Sequence, residues 1–238
     1  MSGERGTRSG SDRRLIWDWP VRITHWAMVA SVIGSYVTHR LGAAQFRYHR
    51  WFGYTTLVLV AVRILWGVVG TRHARFTSFV HGPATVVRYL ADLVGRRAPA
   101  CAGHNPAGGW MVLVLLSLLA AQALTGLFAN DDVMNTGPLY GYVLASTSDR
   151  LAGWHRGLFD VLLIAIALHV AAIAAHRVVG KANLIRPMLT GYKSAAETSP
   201  SDAISSSRLW LWLVLTAAVS AALAWIIARA PEASLFVF

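Results

Sequence analysis

The 238-residue chain is 55% hydrophobic and only 14% charged, with a mean hydropathy of +0.47. That is too apolar for a soluble domain of this size and makes the bilayer its solvent. The formal net charge of +11 does not indicate a nucleic-acid partner, because the cations lie in short segments between apolar stretches, where they set topology. The single cysteine, Cys101, excludes a Cys-x-x-Cys-His haem attachment, an iron–sulfur cluster and an internal disulfide. Any cofactor must be held by histidine, methionine or packing.

Residues 1–14 are polar, basic and rich in Gly and Ser, with no apolar core beside a small-residue cleavage site. A disordered tail is expected there, not a signal peptide. Five apolar runs follow, each near the length of about 20 residues needed to cross the hydrocarbon layer. They cover 20–38, 50–69, 110–129, 155–178 and 209–228. Trp17 and Trp19 precede the first, and Pro20 suits an opening helical turn. Within 71–106, "TSFVHGPATVVRYLADLVGRR" is expected to form a short amphipathic helix lying in the interface. The segment 130–154 carries Asp131, Asp132 and Asp149 and is the most acidic connection, either a docking loop or a solvated one. Residues 194–207 read as a linker to a fifth helix that has no His or acidic residue and whose expected role is packing or association. The expected fold is all-α and membrane-integral: a four-helix bundle over 15–193, followed by the linker and a C-terminal transmembrane segment over 208–238.

The positive-inside bias gives the expected direction. Fifteen of the 22 lysines and arginines fall in the N-terminal segment, the connection after the second run and the stretch after the fourth; six fall on the other side, and Arg63 lies inside a run. The N-terminus is therefore expected in the cytoplasm and the C-terminus outside.

Ionisable groups within spans are costly and point to function. His155 and His169 are fourteen residues apart on the fourth run, so they share a face within about 40° and differ in depth by about 21 Å. Applying the alternating direction of the helices, His49 begins the second run at the level of His155, and His25 lies early in the first run at the level of His169. Two neutral imidazoles on facing helices suit bis-histidine haem iron, which favours electron transfer. The expected ligand pairs are His49 with His155 and His25 with His169, holding two non-covalent haems b near the two membrane faces. His176, seven residues after His169, is the competing inner ligand. His39, His73, His81 and His104 lie in loops or at span edges and are expected to be solvated. Arg63 is fourteen residues after His49, at the depth of the inner pair. Its charge there suits a haem propionate, a contact behind a ligand or a quinone carbonyl, with snorkelling to the headgroups as the alternative. Asp160 is read as orienting a ligand, accepting a quinol proton or bonding a helix neighbour.

The residues "WDWPVRITHW", "RYHRWFGYTTLVLVAVRILWG", "GHNPAGGWMVLVLL" with "QALTGLF", and "WHRGLFDVLLIAIALHV" followed by "NLIRPMLTG" resemble the bacterial cytochrome b561 and nickel–iron hydrogenase b-type cytochrome family over about 15–193. The resemblance implies haem ligands at His25, His49, His155 and His169. It also implies an inner-membrane location and electron exchange between the quinone pool and a periplasmic hydrogenase or c-type cytochrome. The fifth run lies outside that four-helix core. Two further readings stay open: a stand-alone quinol oxidase acting on superoxide or another small acceptor, and a histidine-lined metal or proton transporter.

Overall fold

The computed structural model describes residues 13–131, 135–178 and 183–231. Nearly all of the expected N-terminal tail, Asp132 and the chain beyond Pro231 lie outside these. Within them the long helices are α1 (Trp19–Arg40), α2 (Phe46–Val69), α4 (Pro106–Phe128), α5 (Ala145–Val178) and α7 (Leu209–Ala228). The shorter α3 (Pro83–Val94) and α6 (Ile185–Thr190) lie in connections.

Local chemistry explains the helix ends. Asp18 caps α1 by accepting from the Val21 N–H at 2.7 Å, with Pro20 in the first turn. Asn105 caps α4 by accepting from the Gly108 N–H at 2.7 Å, again with a proline following. These side chains occupy donors that a helix start otherwise leaves unpaired. Gly191 closes α6 at a φ of +89° and returns its N–H to the Pro187 carbonyl. A Cβ at Gly191 would lie 2.9 Å from the Trp17 carbonyl oxygen, so the residue also permits a close chain crossing.

Among the described residues, four helical stretches are long and apolar enough to cross a membrane: 43–69, 106–128, 145–178 and 209–228. The first expected run forms a 22-residue helix, α1, which is long enough at about 33 Å. It is less apolar than the other four, because Arg22, Thr24, His25, Ser31 and Ser35 interrupt it. The largest departure from the sequence expectation is α5, which begins ten residues before His155 and takes up the end of the supposed loop 130–154. Buried Ser148 anchors this extension by donating to the Phe128 carbonyl at 2.7 Å, one of the acceptors left over where α4 ends. The expected amphipathic helix is α3, which buries Tyr89 and exposes Val87, Leu90 and Val94.

In this bundle α2 packs on α1, α4 and α7, and α5 packs along α4. One apolar cluster centres on Val60, Leu116, Leu119 and Leu162 of α2, α4 and α5; another gathers Ile16, Trp17, Val62, Trp66 and Trp212. The Trp212 indole N–H donates to Thr24 at 3.2 Å and ties α7 to α1. At α7's other end Tyr142 donates to the Arg229 carbonyl at 3.0 Å, so α7 runs the height of the bundle.

A small platform closes the end where α1 begins. Arg13 and Arg14, assigned by sequence to the tail, form strand β1 (Arg13–Leu15), which pairs antiparallel with β2 (Tyr192–Ser194). Linker residues dock on it: the Ile204 N–H donates to the Leu15 carbonyl at 2.9 Å, and Arg14 donates to the Ala195 and Thr198 carbonyls. Backbone pairing across nearly the whole sequence length was invisible to local composition.

Candidate haem-binding sites

At the end of the bundle where α2 and α5 begin, His49 and His155 face each other with ring centroids 6.2 Å apart and planes at 88°. His49 is oriented by α1, since its Nδ1–H donates to the Ser35 carbonyl at 2.9 Å. His155 is oriented by α4, since its Nδ1–H donates to the Gln122 carbonyl at 2.9 Å. Both bonds select the tautomer whose Nε2 carries the lone pair, the form that ligates a metal; at His155 that lone pair accepts from the Gln122 side-chain amide at 3.3 Å, which a bound metal would have to displace. Gly126 lets the ring lie against the α4 backbone: a Cβ there would come within 2.9 Å of His155 Cε1.

The two rings border a cavity of about 430 Å³ between α1, α2, α4 and α5, within the size range of cofactor pockets. Its walls are mostly apolar, with Val32, Leu119, Leu127, Phe159 and Leu162 among them. Two cations border it, Arg50 and Arg156, each one residue after a histidine of the pair. Arg50 Nε and Gln122 Oε1 are buried there without a hydrogen-bond partner.

At the opposite end His25 of α1 and His169 of α5 face each other with centroids 6.5 Å apart. The Nδ1 of His25 is buried and unpartnered, and the ring meets Trp26 edge-on at 5.0 Å. Two imidazoles that shared one metal ion through bonds of about 2 Å would hold their ring centres roughly 6 Å apart. Both pairs have that spacing, so the donor sets and the orphaned polar atoms at both ends fit haem, as does the cavity at the His49 end.

Other residues resolve differently. The Nδ1–H of His176 donates to the Ala172 carbonyl at 2.8 Å, and its Nε2 lies 3.3 Å from both Tyr89 Oη and Asn105 Nδ2, so both nitrogens serve the α3–α4–α5 junction. Arg63 is 5% exposed and donates to the Ala74 carbonyl at 3.2 Å, with its guanidinium 5.6 Å from the Phe76 ring centre. It is therefore held by the connection after α2 and does not snorkel. Asp160 lies on the cavity wall. The expectation of four solvated histidines needs correction. His39 and His81 are exposed, but His73 is buried and donates to the Asp202 carbonyl at 2.7 Å. His104 is wedged against Trp17 and Phe79, with centroids at 4.7 and 4.5 Å, and its pKa is pushed down to about 3 by burial, then by Arg63, His73, Lys193 and His169. Chain folding, not local polarity, decides these burials.

Sequence reasoning also missed Asp18, which is 1% exposed and accepts from Val21, Trp66 Nε1 and Thr71 Oγ1. A carboxylate flanked by two tryptophans was the available signal.

The model of the prokaryotic cytochrome b561 family matches residues 16–191. The chain belongs to that family. It is accordingly a haem-binding b-type cytochrome of membrane electron transport, and the match ends where α6 reaches Gly191, leaving α7 outside. Among its relatives is a probable Ni/Fe-hydrogenase B-type cytochrome subunit from Bradyrhizobium diazoefficiens, 25% identical over 221 residues, covering 80% of this chain and 89% of the relative. A protein of the same description from Azotobacter chroococcum is 25% identical over 218 residues, covering 78% and 90%. No solved structure matches the chain.

Proposed function

We propose that this cytochrome carries two haems b, one held by His49 and His155 and the other by His25 and His169, and passes electrons between the quinone pool and a redox partner at the His49 end. The observation that carries this reading is the pair of facing imidazole sets, at 6.2 Å between α2 and α5 and at 6.5 Å between α1 and α5, at two depths of the bundle. Bound haem supplies one-electron iron chemistry, and bis-histidine ligation leaves no open position for substrate. The chain's own part is to present four imidazoles, to fix two of the rings through the Ser35 and Gln122 carbonyls, and to exclude water with the apolar walls of the His49 cavity. Arg50 and Arg156 are suited to the propionates, because guanidinium pairs well with carboxylate. Arg63 supplies a buried positive charge at the depth of the His25–His169 pair, which suits a contact behind a ligand or a propionate.

The names of the two relatives support a hydrogenase as partner, with a c-type cytochrome as the alternative. We take α1 and α7 to span the bacterial inner membrane with the other three long helices, the N-terminus in the cytoplasm and the C-terminus in the periplasm. The transporter reading is the weaker one, because the family the chain matches is one of cytochromes. Pyridine haemochrome analysis with acid–acetone extraction tests the proposal. Two extractable haems per chain with low-spin spectra are expected; none, or haem that resists extraction, overturns it.

A further inference from the structure

We propose that the two sites are tuned apart, with the haem at His49 and His155 having the lower midpoint potential and the haem at His25 and His169 the higher. This rests on the di-haem reading. The two sites share ligand type, so their difference must come from what surrounds the ligands: hydrogen bonding behind the imidazoles, access of water, and nearby charge.

Hydrogen bonding and charge both differ between the ends. Both Nδ1–H groups at the His49 end donate to backbone carbonyls, Ser35 and Gln122, at 2.9 Å. Such a bond shifts electron density onto the ring and raises its basicity as a ligand, which favours ferric iron over ferrous. At the other end His25 Nδ1 is buried and has no partner. The carboxylates of Asp131 and Asp160 border the His49 cavity and again favour the more positive ferric state. At the His25 end lie the buried guanidiniums of Arg22 and Arg63 against one buried carboxylate, Asp18. The net buried positive charge there favours ferrous iron. Arg50 and Arg156 act in the opposite sense at the His49 end, but they are half-buried and exposed, where solvent screens them. The balance therefore lowers the potential at the His49 end. Because the tuning groups there are main-chain carbonyls, the poise is fixed by helix packing and is insensitive to most side-chain changes.

Potentiometric titration with optical detection tests this, with haem stoichiometry measured on every preparation. Wild type is expected to show two transitions. His25→Ala and His169→Ala should retain the lower one, and His49→Ala and His155→Ala the higher. Arg63→Gln, which leaves both pairs in place, should lower only the upper transition and covers the case in which a ligand variant fails to fold. Redox-difference infrared spectra of protein with ring-labelled histidine should show hydrogen-bonded Nδ1–H modes with the lower transition alone. Two bound haems with the order reversed, with coincident transitions, or with Arg63→Gln shifting the lower step would overturn the proposal and leave the di-haem reading standing. One haem or none overturns both.

Discussion

The imidazole of His155 lies against the bare backbone of Gly126, where an added methyl would sit 2.9 Å from Cε1. A helix that supplied a side chain at that position would push the ring away from the Gln122 carbonyl. Gly126→Ala should therefore misalign one ligand without touching the other pair. Overpacking of this kind costs about 1–3 kcal/mol, and Gly126→Val should be worse. The spectral change expected is loss or conversion of the haem at the His49 end only; an unchanged pair of transitions in Gly126→Val would refute the close fit.

The four histidines should fall into two classes when replaced singly by alanine. His25→Ala and His169→Ala are expected to lose the same haem, and His49→Ala and His155→Ala the other. His176→Ala should keep both, because that side chain is engaged with Ala172, Tyr89 and Asn105. Its expected cost is in stability, about 0.5–1.5 kcal/mol per hydrogen bond lost. A His176→Ala protein that behaves spectroscopically like His25→Ala would make His176 the ligand.

Asp18 joins three donors at the platform: the Val21 N–H, the Trp66 indole and the Thr71 hydroxyl. Asp18→Ala strands them and leaves Arg22 and Arg63 without their buried counter-charge. Leaving one buried donor unsatisfied costs about 1–3 kcal/mol, so a clear fall in Tm is expected, with Asp18→Asn milder. Equal Tm values for wild type and Asp18→Ala would exclude this network as a source of stability.

Acid should loosen the platform through His104. Its folded pKa of about 3 lies below its ordinary value of 6.5, chiefly because burial disfavours the cation. Between those values the unfolded chain takes up a proton that the folded one refuses, so the stabilising contribution is complete above pH 6.5 and is lost as pH falls toward 3. Thermal unfolding in detergent from pH 7 to 4.5 should show a declining Tm, with a shallower decline in His104→Gln. Parallel slopes would mean that other groups dominate.

Topology makes an independent prediction. Reporter fusions after Ser199 and after Phe238 should report opposite sides of the membrane, because α7 separates them. Fusions on the same side would mean that α7 does not cross, despite its 20-residue length and apolar composition.

The sequence by itself determined the class of protein, the long helices to within a few residues apart from the early start of α5, and four histidines at two depths. Helical periodicity and the length of a membrane crossing are local properties, so a chain read in one dimension reveals them. The spacing of fourteen residues between His155 and His169 fixed their common face and their separation in depth without any knowledge of neighbours. Only the tertiary structure decided which carbonyls orient those rings, why Gly126 is bare, and how Arg50 and Arg156 border the cavity. It also decided that β1 pairs with β2, that His73 and His104 are buried, and that Arg63 is held by the connection after α2. Each of these depends on contacts between residues far apart in sequence, and the free energy of such a contact comes from packing and desolvation at a place that local composition does not specify.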